Sequence, residues 1–246
     1  MPIHYARSLT SEERTARSDR HLGFALAFIA GAANAGAFLA VGLYTSHMTG
    51  LISSIADHLA LGEAALAAAA LAAVLCFLAG AMTSAVMVNI ARRRGLRSQY
   101  ALPLLLEAAL LLTFGLLGTS LARVPGLFVP ATVMLLCYMM GLQNAVITKI
   151  SGSVVRTTHL TGVVTDLGIE LGRWLYWNRH LHDGSDRAQV DRQRLGVLML
   201  LCTCFVLGGL GGALGFKHVG YASTIPLAVL LVVMSIVPVL DDLRRR

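Results

Sequence analysis

The stretch FIAGAANAGAFLAVGLYTSHMTG, residues 28–50, decides how this chain is built, because its signature returns in GLQNAVITKISGSVVRTTHLTG, residues 141–162. Each block carries Gly-x-x-Asn-Ala, then a glycine, then Thr-x-His-x-Thr-Gly. In the first these are Gly31, Asn34, Ala35, Gly42, Thr45, His47, Thr49 and Gly50. In the second they are Gly141, Asn144, Ala145, Gly152, Thr157, His159, Thr161 and Gly162, with two extra residues before the threonine. Apolar segments resemble one another by chance, but a repeated Thr-x-His-x-Thr-Gly does not arise so easily, and internal repetition constrains the whole architecture. Further on, Cys76-Phe77 followed by Gly80 matches Cys204-Phe205 followed by Gly208, and Leu61-Gly62 matches Leu171-Gly172.

Around these blocks the chain is 56% hydrophobic and only 13% charged, about half the charge of a soluble domain. That is too little to cover a water-facing surface, so lipid must wet most of it. Six apolar runs, 22–43, 64–91, 101–121, 127–148, 195–216 and 222–240, each have roughly the twenty residues that a helix needs to cross a bilayer core. Two shorter runs, 47–61 and 159–171, fit half-helices or re-entrant segments. The expected fold is therefore an all-α membrane protein of six transmembrane helices plus two half-helices. The domain plan is an N-terminal arm (1–21), one transmembrane domain (22–241) and a basic tail (242–246). The transmembrane domain holds repeat one (22–121), repeat two (127–241) and a connecting loop at 178–193.

Arginine placement supports six spans. With the N-terminal arm inside, Arg92, Arg93, Arg94 and Arg97 fall inside, as do Lys149, Arg156, Arg173, Arg179, Arg187, Arg192, Arg194 and the terminal Arg244, Arg245 and Arg246. The loop at 123–126 and Lys217-His218 fall outside. This is the distribution of a protein with both termini in the cytoplasm of a bacterial inner membrane. Trp174, Tyr176 and Trp177 suit the interface belt. Three crossings per half is an odd number, so the second half must start on the opposite face. The repeat is an inverted 3+3 repeat, an arrangement that recurs in secondary transporters.

The formal net charge of +7 does not imply a nucleic-acid partner, because the basic residues flank apolar segments and form no basic–aromatic motif. Their expected partner is the anionic leaflet of the lipid bilayer. Cys76, Cys137, Cys202 and Cys204 all lie in apolar runs and read as small core residues. No metal cluster, phosphate loop, nucleophile elbow or paired-carboxylate motif is visible, so neither cofactor nor enzymatic activity is expected.

The candidate substrate- or ion-binding residues are His47, Thr49, His159, Thr161, Asn34, Asn144, Glu107 and Asp166. Threonines at the start of each short helix can cap it, and a half-helix N-terminus favours an anion or a polar oxygen. His47 and His159 either form a symmetric substrate or proton site or lock their turns on a carbonyl. Asn34 and Asn144 lie mid-span, where they bond broken backbone or line a polar cavity. Glu107 sits a third of the way along an apolar span, where an ionisable group marks a functional site unless it snorkels. Asp166 and Glu170 share a helix face, with Arg173 one turn beyond Glu170. The glycines at 208, 209, 211, 212 and 215 allow close helix approach or a gate.

The two blocks, with 156–162 and 166–172, resemble the YoaK family of bacterial inner-membrane proteins, a group of unknown function, over nearly the whole chain after the arm. Many members of that family carry an aspartate where this chain has Asn34 and an asparagine where it has Leu51. The resemblance implies six spans in an inner membrane and supplies no substrate. The function expected from the residues is a small-molecule transporter or permease with proton coupling, its site between the two half-helices. A passive small-solute channel and a non-transporting scaffold are the alternatives, with self-association into a homo-oligomer left open.

Overall fold

The structure is a computed structural model, which describes residues 16–96, 98–121, 125–150, 160–176 and 190–244. The described residues are overwhelmingly helical and contain no strand. In chain order the helices are α1 (Ala16–Val41), α2 (Met48–Ala60), α3 (Ala64–Arg93), α4 (Ala101–Leu121), α5 (Pro125–Ile150), α6 (Leu160–Leu175), α7 (Arg192–His218) and α8 (Thr224–Arg244). A short 3₁₀ turn, Gly220–Ser223, joins the last two. Six of them, α1, α3, α4, α5, α7 and α8, are long and apolar enough to cross a membrane. At 13 and 16 residues, α2 and α6 reach only about 20 and 24 Å, short of a ~30 Å core. The chain is a multi-pass helical membrane protein. Several helices outrun the apolar runs at polar ends, as where α1 begins at Ala16 and α6 continues through Trp174.

The register of the contacts gives the direction of each helix. A methyl group placed on Gly31 would fall on the carbonyl of Phe205, one on Gly208 would fall on the carbonyl of Phe28, and one on Gly212 would fall on the backbone of Ala32. Along Phe28–Gly208, Ala32–Gly212 and Gly36–Phe216 both numbers rise together, so α1 and α7 run parallel. In the second tight pair, a methyl on Gly141 would strike the carbonyl of Phe77, and one on Gly80 the carbonyl of Tyr138. Further along the same pair, Lys149 Nζ donates to the carbonyl of Ala85 at 3.4 Å and to Asn89 Oδ1 at 3.2 Å, so α3 and α5 are also parallel. By contrast α4 and α8 are antiparallel: the Ser98 amide donates to Asp242 Oδ2 (2.8 Å) near one end, and Gly115 abuts Thr224 near the other. Six alternating crossings put α1, α4 and α7 in one direction and α3, α5 and α8 in the other. If α2 alone among the short helices also crossed, α1 and α7 would be antiparallel.

These glycine contacts explain the packing energetically. Lipid supplies no hydrophobic drive between helices, so they associate by bringing backbones close enough for dispersion contact, which only small residues allow. The inner layer of the bundle is Leu22, Leu26 and Ile29 of α1, Leu104, Leu111 and Phe114 of α4, Leu136, Met139 and Met140 of α5, and Leu231 of α8. The outer faces of α3 and α7, with Leu71, Leu75, Leu78, Val206, Leu207 and Leu210, are exposed and apolar, as lipid contact requires. Each short helix packs against the span that follows it, α2 on α3 and α6 on α7.

Candidate functional site

After α1 ends at Val41, the chain turns through Gly42, whose φ of +72° suits glycine, and runs back along the helix it has just left. Tyr44 stacks on Phe38 with ring centroids 4.9 Å apart and an interplanar angle of 12°. Two residues on, Asn34 Nδ2 donates to Ser46 Oγ at 2.6 Å. Asn34 lies seven residues before the end of α1, so the chain has descended by about 10 Å before α2 begins. That is the geometry of a helix break inside a bundle. Thr45 is carried inward with it and is 2% exposed, while Asn34 is 5% exposed. Neither Asn34 Oδ1 nor Thr45 Oγ1 has a hydrogen-bond partner.

His47, the next residue, is the N-cap of α2 but makes no side-chain capping bond; its amide donates to the carbonyl of Tyr44 at 3.0 Å. The imidazole folds over the first turn, where it occupies the space that a side chain on Gly50 would need. The cap expected from Thr45 or Thr49 is not made: Thr45 turns into the bundle and Thr49 is exposed. The ring of His47 is itself exposed.

In the second half, His159, Gly152 and Thr157 lie outside the described residues. Thr161 is exposed in the first turn of α6, and its carbonyl accepts from the Thr165 hydroxyl at 2.8 Å. Asn144 Nδ2 donates to the carbonyl of Met140 in its own helix at 2.8 Å. Asp166 pairs with Arg194 of α7 (2.9 Å), and Glu170, 1% exposed, accepts from Arg173 (2.8 Å) and from the amide of Asp191 (3.1 Å). Asp191 in turn caps α7 by accepting from the amides of Gln193 and Arg194. Both acidic residues of α6 therefore fasten it to the start of α7. At the corresponding junction of the first half, His58 Nδ1 meets Glu63, the N-cap of α3, at 2.6 Å.

Glu107 of α4 does not snorkel. It is 1% exposed, on the face that also carries Leu104, Ala108, Leu111 and Phe114, and its Oε2 has no partner. An ionised carboxylate in such a place costs several kcal/mol unless a cation or a hydrogen-bond donor meets it. Gln143 of α5, which the motif reading passed over, is fully buried. Its Nε2 reaches the carbonyl of Leu26 in α1 at 3.3 Å, while Oε1 is unpartnered. A signal for it existed: it stands between Gly141 and Asn144, where the first block has Ala33, so it breaks the repeat. Glu107 likewise lies outside the repeated motif. The structure thus groups Asn34 with Thr45 and Ser46 and leaves Glu107 and Gln143 as buried polar groups. His47, Thr49 and Thr161 lie at the surface of the short-helix starts, and Asp166 is spent in an ion pair.

A family model described as "Protein of unknown function (DUF1275)" matches residues 22–237. No curated protein and no solved structure matches the chain.

Proposed function

The chain belongs to the DUF1275 family over nearly its whole length, and since membership assigns no activity, we propose on physical grounds that it is a small-solute transporter of a bacterial inner membrane, proton-coupled through Glu107. The observation that carries this reading is the Glu107 carboxyl, buried in a spanning helix with an oxygen that no protein group meets. Buried polar atoms are almost always satisfied, and in a bilayer there is no water behind the helix to do it, so an exception points to a ligand or a transferred proton.

The halves 22–121 and 127–241 are read as inverted repeats. This is supported by equivalent contacts: Gly31 meets Phe205 as Gly141 meets Phe77, and Gly80 meets Tyr138 as Gly208 meets Phe28. Each tight pair joins a helix of one half to a helix of the other. The rigid bodies of the transport cycle are then α1 with α7 and α3 with α5, not the two halves themselves. The seam between them is α1 against α5, bridged by the Gln143 to Leu26 hydrogen bond. Rocking along this seam exposes the interior to one side at a time. The cytoplasmic placement of both termini rests on Arg92, Arg93, Lys149, Arg173 and Arg194, which stand at helix ends on the side where α1 begins.

The test is uptake by proteoliposomes loaded with protein, under an imposed pH gradient, from a pooled library of small metabolites read by mass spectrometry. The expected result is gradient-driven accumulation of one solute class, lost in Glu107→Gln while the protein still reconstitutes. Equilibration without accumulation would identify a passive channel. Absence of flux for every solute, with Glu107→Gln melting like the wild type, would favour a scaffold.

A further inference from the structure

The geometry points to a binding site for a small monovalent alkali cation, sodium or one like it, in the break between α1 and α2, held by Asn34, Thr45 and Ser46. Asn34 Nδ2 is committed to Ser46 Oγ, which turns Asn34 Oδ1, an atom that can only accept, toward no partner. Thr45 Oγ1 is equally without one. The neighbouring carbonyls of Tyr44 and Ser46 accept from the amides of His47 and Met48, but among the described residues no amide reaches the carbonyl of Thr45. Four oxygens are therefore supplied by two consecutive loop positions and the helix residue bonded to the second of them: Asn34 Oδ1, Thr45 Oγ1, the Thr45 carbonyl and Ser46 Oγ.

The chemistry of this set selects the ligand. All four are hard neutral oxygens, which suit an alkali or alkaline-earth ion and not a soft metal. No carboxylate lies between Asp19 and Asp57 to neutralise a second positive charge, which weighs against calcium or magnesium. An anion is disfavoured because Asn34 Oδ1 and the Thr45 carbonyl, both left open, can only accept. No lysine or arginine lies between Arg20 and Arg92 to repel a cation. Unwound backbone beside a broken helix is where membrane carriers hold such ions, because carbonyls released from the helix are the available ligands. The site does not depend on the transport reading, since a bound ion can stiffen a scaffold as well as drive a carrier.

The experiment is a melting series on the purified full-length protein in detergent, at constant ionic strength, in sodium chloride, sodium gluconate and N-methylglucamine chloride. Sodium should raise the melting temperature with either anion, by roughly 5–10 °C at a hundred times the half-saturating concentration. Thr45→Val, which keeps the shape and removes the hydroxyl, should melt like the wild type in N-methylglucamine and lose most of the sodium shift. Asn34→Asp adds a charge among the same oxygens and should lower the half-saturating sodium concentration about tenfold or more. A melt that follows chloride, or is the same in all three salts, overturns the proposal. So does a sodium shift untouched by both substitutions. Because this readout involves no solute flux, its failure leaves the transport reading to be judged by the liposome assay alone.

Discussion

Consider the substitution Gly31→Ala. Its added methyl would sit on the carbonyl of Phe205 and near the amide nitrogen of Gly209, both backbone atoms of α7 that cannot rotate aside. Relief requires α1 and α7 to separate along a line of contact that also includes Phe28 with Gly208 and Ala32 with Gly212. Overpacking of this kind costs about 1–3 kcal/mol, and the upper half of that range applies when backbone meets backbone. Alanine also favours the helix over glycine by about 1 kcal/mol, so the net loss is about 1–2 kcal/mol. Gly168→Ala on α6 supplies the control. Nothing lies within 4 Å of its added methyl, so only the helix gain remains, and this variant should be stabilised by up to about 1 kcal/mol. The two variants should therefore differ by about 2–3 kcal/mol, roughly thirty- to a hundredfold or more in the unfolding equilibrium. Gly141→Ala should behave like Gly31→Ala, because it strikes the carbonyl of Phe77 in the equivalent way. The assay is reversible unfolding in mixed micelles, titrated with a denaturing detergent. Equal stability of Gly31→Ala and Gly168→Ala would refute the argument that backbone proximity holds the paired helices together.

Three further outcomes are expected. Glu170→Gln should lower stability by about 1–3 kcal/mol in the same titration, since it weakens the charge-assisted bonds from Arg173 and Asp191 to a buried carboxylate. Arg194→Gln, which breaks the half-exposed pair with Asp166, should cost less than about 1 kcal/mol, and an order reversed between these two would show that α6 is held otherwise. Single cysteines placed at Arg94 and Arg123 in a variant lacking the native cysteines should differ towards a membrane-impermeant maleimide, the one at 123 reacting in intact cells and the one at 94 only after the membrane is permeabilised. Both cysteines reacting in intact cells, or both only after permeabilisation, would remove the odd number of crossings per half on which the inverted repeat rests.

The spans were legible in the sequence because twenty consecutive apolar residues are a local signal, read without knowing any neighbour. So was the shortness of α2, and so was the Thr-x-His-x-Thr-Gly that marks the break between α1 and α2. Glu107 stood out for the same reason: a charge in an apolar run is visible from its flanks. What the sequence could not tell is whom each residue meets. The histidines looked like the centre of the site, yet His47 folds onto its own first turn at Gly50, while the inconspicuous Thr45 goes inward. Asp166 looked like an ion-binding residue and is paired with Arg194, 28 positions further along the chain, a contact that no local pattern encodes. Gln143 needed the carbonyl of Leu26, more than a hundred positions away, before its half-satisfied amide had meaning. Sequence alone thus determined which segments enter the membrane, since burial in lipid is decided residue by residue through transfer energy. Only the tertiary structure decided which helices pair and which buried oxygens are left without a donor, since hydrogen-bond satisfaction and close packing are properties of groups brought together from distant parts of the chain.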